Sequence, residues 1–216
     1  VLLSNPSTHV NNKLSSTQRE ADNMEIRLDA LTRSAAETRT FGIEVGDFIF
    51  LDPRVEVTAT GFIRSRHLDD KAGVAAIYGA LVALKAAKAQ PEQDTTILIA
   101  NYEEVGHGGS ADWPGTLDEL LTIDMGAMGD GQNSDEFSVS ICAKDSTGPY
   151  HYEMTAKMRR LAEKHKIPYK MDIYPYYGSD GSAYWRAGGT ARVALVGPGI
   201  DASHGYERTH KDSIQH

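Results

Sequence analysis

The pattern of apolar and polar positions changes texture along the chain. Residues 1–45 alternate without a sustained period, "LSNPSTHVNNKLSSTQREADN" running into "MEIRLDALTRSAAETRTFGI". "EVGDFIFLDPRVEVTATGFIRSRH" then gathers β-branched and aromatic residues, broken at Gly46, Pro53 and Gly61. Short runs of that kind between turn residues predict antiparallel strands of a small barrel or sandwich. From residue 69 the texture changes again. "AGVAAIYGALVALKAAK" has helical spacing, and "TTILIA" is apolar enough for a strand buried on both faces. "DELLTID" ends in a strand and "FSVSICA" is another. "YHYEMTAKMRRLAEKHK" is an amphipathic helix, "KMDIYP" a strand, "GSAYWRAG" a short helix and "ARVALVG" a last strand. This alternation predicts an α/β fold, a mostly parallel sheet flanked by helices, with a small β-rich second domain. The boundaries expected are residues 1–64 for the β-rich domain and 65–216 for the α/β domain. No internal repeat or low-complexity tract interrupts them.

Composition narrows the function classes. With 30 acidic against 22 basic residues and a formal net charge of -8, the chain is a poor partner for nucleic acid or an anionic membrane surface. No apolar run approaches the roughly 20 residues of a membrane helix. The single cysteine, Cys142, excludes an internal disulfide and suits a reducing, cytoplasmic compartment. Its mid-strand position reads as a buried structural thiol and not a nucleophile. The chain opens "VLLSNPSTHV", without an initiator methionine or a charged signal n-region. It is therefore expected to be a piece of a longer polypeptide, and the absence of a targeting segment carries no weight.

Residues 101–110, "NYEEVGHGGS", put two carboxylates between an apolar run and a glycine-rich turn. Burying an unpaired carboxylate is costly enough that it normally takes up a proton, so something nearby must favour negative charge. Other acids occupy comparable places. Asp124 closes "LLTID", and Asp69 and Asp70 follow "GFIRSRHL". His204 follows "ARVALVG" in "GIDASHGYE". Ligands in open α/β sheets gather at the carboxyl ends of strands, and divalent cations hold clustered carboxylates ionised. Asp, Glu and His together suit zinc or a related transition metal better than calcium. Neighbouring positions on an extended chain point to opposite sides. One of Glu103 and Glu104 can then face a metal while the other addresses a water.

"LDDKAGVAA", "EEVGHGGS", "IDMG" and "SHGYE", in that order, resemble the M42 family of dinuclear metallo-aminopeptidases. "NMEIRLD" and "GIEVGDFIFLDP" resemble that family's β-rich inserted domain. The resemblance implies a peptidase that removes the N-terminal residue of peptides, with two divalent ions, zinc first and cobalt or manganese as alternatives, activating a water. It implies Asp69 as the bridging carboxylate and Asp70 as its neighbour across what is typically a strained peptide bond. Glu103 is implied as general base and Glu104 and Asp124 as terminal ligands on separate ions. His204, with Glu207 as companion, matches the late His-x-x-Glu segment. Homo-oligomers, from dimers to dodecamers built through the β-rich domain, are implied as well. The family's upstream His-x-Asp segment is absent. The one His-x-Asp here, His67 to Asp69, overlaps the "DDKAG" motif.

Alternatives stay open at this point. Capping is the bland reading of Asp69 and Asp70, and His210 competes with His204 as ligand. Asp180, in a turn among aromatics, is either a helix cap or a pocket residue. His107 is expected to be a loop or pocket residue, and Tyr174, Tyr176 and Tyr177 to be packing. The same motifs serve related dinuclear deacylases and carboxypeptidases. An inactive piece that functions in assembly is the reading from another class.

Overall fold

The structure, a computed structural model, describes residues 1–111 and 113–216. The chain divides into two compact units, Val1–Leu51 and Asp52–His216. The first holds a two-residue antiparallel pair, β1 (Leu2–Leu3) with β2 (Met24–Glu25), two 3-10 turns and one short α-helix, α1 (Ala35–Arg39). Ser34 caps α1 by accepting Glu37 N–H, as its position before the helix dictates. None of this unit's residues is buried. Its predicted strand "EVGDFIF" has no ladder, and Phe48 and Phe50 are exposed.

The second unit begins with β3 (Glu56–Val57) and β4 (Phe62–Ser65), then α2 (Leu68–Ala87). β5 (Glu119–Ile123), β6 (Gly126–Ala127), β7 (Val139–Asp145) and β8 (Gly148–Pro149) follow. The remainder is α3 (Tyr152–His165), β9 (Tyr169–Ile173), α4 (Asp180–Arg186), β10 (Arg192–Ile200), β11 (Glu207–His210) and α5 (Lys211–Gln215).

The fold is α/β, with a mixed six-stranded sheet in the order β5-β10-β7-β8, β6 lying beside β10 and β9 beside β7. The pairings β5/β10, β6/β10 and β7/β9 are parallel, while β7/β10 and β7/β8 are antiparallel. β10 is the spine. Val193, Ala194, Leu195 and Ile200 on it are wholly buried, as is Cys142 on β7. The Cys142 thiol donates to Lys144 O and burial pushes its pKa up to about 12, the behaviour of an inert core thiol.

A second, three-stranded antiparallel sheet runs β11-β4-β3. β4 and β11 lie far apart in sequence, and their pairing brings the start of α2 against the turn after β10. β11 itself was not expected from the sequence.

"TTILIA" departs from expectation: residues 95–100 form no strand, and Ile97 and Ile99 are exposed. A strand exists through its ladder, and among the described residues none runs alongside. α2 forms as expected, but only Leu68, Ala72 and Gly73 on it are buried while Tyr78, Leu81 and Val82 stay exposed. Among the described residues, no helix is long and apolar enough to cross a membrane.

Candidate metal centre

Each candidate side chain owes its place to a local feature of the backbone. Asp124 stands just beyond β5, 5% exposed, with Oδ1 accepting Met125 N–H at 2.7 Å. β10 passes so close that a Cβ on Gly197 would lie 1.8 Å from Asp124 O. Only glycine permits that approach.

Asp69 and Asp70 fall at the start of α2 but outside regular helix, at φ -77, ψ 107 and φ -118, ψ 43, joined by a cis peptide. Asp70 Oδ1 accepts Gly73 N–H at 3.1 Å, so Asp70 caps the regular part of α2. The cap and the candidate site thus coexist on neighbouring residues.

Glu103 and Glu104 sit on a 3-10 turn, Glu103–Val105, and not at a strand end. The turn still separates them: Glu103 is half-buried and the Glu104 side chain 52% exposed. Beyond it, Gly106 ends the turn at φ 86, while Gly108 and Gly109 serve packing. A Cβ on Gly109 would come 2.3 Å from Asp180 O, so this glycine lets the turn close on the start of α4.

His204 lies in the turn after β10 at φ 62. Its Nε2 is 3.3 Å from Asp69 Oδ2 and 3.3 Å from Glu104 Oε2. His210 is elsewhere, with Nε2 2.9 Å from Thr60 O, Nδ1 accepting Asp212 N–H, and its ring edge-on to Phe62. Of the two histidines left open by the sequence, His204 is the one beside the acids. His67 is exposed and His107 stacks on Tyr102. Neither belongs to either cluster below.

Among the described residues, two sets of potential ligand atoms lie within 4.8 Å of one another, Asp69 with Glu104 and His204, and Asp69 with Asp70 and Asp124. Asp69 is common to both. The donor chemistry, carboxylates with one imidazole, fits a divalent cation, and the electrostatics ask for one. Burial, with the charges of Glu104 and Glu207, raises Asp69 to about 6. Burial, then Asp69 and Glu103, raises Asp70 to about 8 against the Gly73 N–H that favours its charge. Burial and Glu104 raise Glu103 to about 7. Asp124 is pushed well above the ordinary carboxylate range, chiefly by burial. Such a group of acids either holds protons near neutral pH or stays fully ionised with positive charge among it.

The clusters open on a cavity of about 540 Å³. Asp69, Glu103, Glu104, Asp124 and His204 line it, together with Asp180, the first residue of α4. The Ser179 side chain, accepting Ser182 N–H, caps that helix, so Asp180 is free to be a wall residue. Asp70 is not on the wall.

Tyr177 is the residue the sequence reading undervalued. Its ring is in the wall, its hydroxyl donates to Met125 O at 3.0 Å, and it faces the Asp124 carboxylate. The signal available was position, since "YPYYGSD" follows β9 at its carboxyl end. Arg186 is the one cation in the wall among the described residues.

Comparison with known proteins places the chain in a family. Over its whole length it is 50% identical to "Putative aminopeptidase YhfE" of Bacillus subtilis (strain 168), and spans 62% of that protein. An aminopeptidase from the archaeon Desulfurococcus kamchatkensis, 22% identical, superposes with a TM-score of 0.68 over 85% of this chain and 54% of its own. The TET1 peptidase of Pyrococcus horikoshii, 22% identical, gives 0.62 over 75% and 49%. At those identities the solved structures speak for the fold, and the chain spans about half their length. A family model described as M42 glutamyl aminopeptidase matches residues 1–216. The chain belongs to that family, the M42 glutamyl aminopeptidases.

Proposed function

We propose that this chain carries the catalytic part of a metal-dependent aminopeptidase that hydrolyses the N-terminal residue from peptides. The observation that carries the reading is the convergence of Asp69, Glu104, Asp124 and His204, from four separate segments, at the wall of one cavity. Family membership supports it. Asp69, shared by both clusters, would bridge two divalent ions, with Glu104 and His204 on one and Asp124 on the other. Zinc is the first choice for such donors, with cobalt and manganese acceptable. When bound, the ions supply Lewis-acid polarisation of a carbonyl and a lowered water pKa.

The chain's own residues do the rest. Glu103, in the cavity but in neither ligand cluster, takes a proton from the attacking water and returns it to the leaving amine. Asp70 holds the start of α2 through Gly73 N–H and so fixes where Asp69 stands. The acids of the wall attract the substrate's free α-ammonium group. In this reading the catalytic portion, expected over residues 65–216, also takes in β3 and β4, which pair with β11, and the residues before them are part of a β-rich assembly domain. The exposed Phe48 and Phe50, and solved relatives described as a tetrahedron, an octahedral shell and a dodecamer, support a homo-oligomer. The buried, unpaired Cys142 supports a cytoplasmic setting.

The experiment is hydrolysis of one peptide with its N-terminus free or acetylated, with zinc or cobalt added. Cleavage of the free peptide only is expected. Equal rates on both, or release from the carboxyl end, would replace the aminopeptidase reading with that of a deacylase or carboxypeptidase.

A further inference from the structure

Glu207 opens β11 and is 2% exposed as a residue, a place that a carboxylate occupies only with compensation. The compensation is three backbone donors. Leu68 N–H and, at 3.1 Å, Asp69 N–H donate to Oε2, while His204 N–H donates to Oε1 at 3.2 Å. These donors belong to two segments distant in sequence, and each segment bears a side chain of the metal centre. Both segments also contain a non-glycine residue in the left-handed region, His67 at φ 63 and His204 at φ 62. Such conformations persist where the surroundings over-determine them.

We propose that Glu207 is the positioning residue of the metal centre. One buried carboxylate fastens the backbone of Asp69 to the backbone of His204, so that the two side chains meet before any ion arrives. The inference rests on the metal-centre reading and deepens it. Groups behind the ligands commonly govern metal affinity by fixing ligand orientation. Both oxygens are required. Glutamine keeps the shape of the side chain but offers one acceptor oxygen, and its amide hydrogens would face either His204 N–H or the Leu68–Asp69 pair.

The test is titration with cobalt(II) alone, followed by calorimetry and visible absorption, on the unsubstituted chain, E207Q, H204A and the double variant. E207Q is expected to bind cobalt roughly 10- to 100-fold more weakly, with a changed visible spectrum, while still unfolding cooperatively in urea when metal-free. In the H204A background the same substitution is expected to cost less, because one ligand it acts through is already gone. Glu207→Asp, which keeps both oxygens at shorter reach, serves if E207Q does not fold, and is expected to weaken cobalt binding less than tenfold. Unchanged affinity and spectrum in the folded variant overturn the proposal. So does a loss in the H204A background as large as in the parent, the mark of a general structural defect. No cobalt uptake by the unsubstituted chain removes the metal-centre reading and this inference together. Uptake by the parent with an indifferent E207Q removes this inference alone.

Discussion

His204 Nε2 stands 3.3 Å from Asp69 Oδ2. One side chain follows β10 and the other opens α2, and the β4/β11 ladder brings their segments together. An imidazole within reach of a buried carboxylate has two common uses, as a charge partner or as a fellow ligand. Glu104 at the same distance from the same nitrogen favours the second, because one nitrogen serves two acids best through a shared cation.

Removing that nitrogen tests the shared cation. His204→Ala is expected to lower the affinity for cobalt or zinc by roughly tenfold or more, since even groups behind a ligand are worth 10- to 100-fold. Asp124→Asn is expected to lower the number of ions bound per chain. Calorimetry and elemental analysis read these two quantities, and an unchanged isotherm in both variants would contradict the site.

Glu103→Gln separates binding from chemistry. Glu103 lies outside both ligand clusters, so metal content is expected to stay the same. Loss of a positioned acid–base group lowers kcat by about 10²- to 10⁴-fold. Near-parental peptide hydrolysis with metal retained would show that another group moves the proton.

The metal-free chain should lose stability as pH rises. In the unfolded chain these carboxyls give up their protons at the ordinary values of 3.8 for Asp and 4.5 for Glu. In the folded chain they hold them to about 6 at Asp69, about 7 at Glu103 and about 8 at Asp70. Between those limits the unfolded state binds fewer protons, so stability is full below about 4 and declines up to about 8. Urea unfolding with a chelator at pH 5 and pH 8 measures the slope, and added zinc at pH 8 should restore the midpoint. A metal-free profile that is flat or rises with pH contradicts this account of the acids.

Gly109→Ala probes the closure of the glycine turn on α4. The new methyl would meet Asp180 O at 2.3 Å, backbone that cannot swing aside. Overpacking of this kind costs about 1–3 kcal/mol. The urea midpoint should drop, with peptide hydrolysis falling too because Glu103 and Asp180 share the cavity wall. A variant as stable as the parent would mean that the turn moves freely.

Sequence by itself determined the elements whose partners are close at hand. "YEMTAKMRRLAEKH" became α3 and "VSICAKD" became β7 because period and turn residues act locally. It also marked Asp69, Asp70, Glu103, Glu104 and Asp124, since acids after apolar runs need an electrostatic reason that chemistry can name, and His204 by its place after the last apolar run. Tertiary structure decided whatever depends on a distant neighbour. "TTILIA" has strand composition and no ladder, so composition could not make it a strand. "ERTH" has little strand character, yet pairing with β4 makes it β11. Sequence favoured His204 and left His210 as its competitor, and the pairing places His210 beside Phe62 and His204 beside Asp69. Glu207 shows the reason most plainly. Its motif is visible in the chain, but its effect lies in which backbone N–H groups come within hydrogen-bond reach, and only the folded arrangement of separate segments sets that distance.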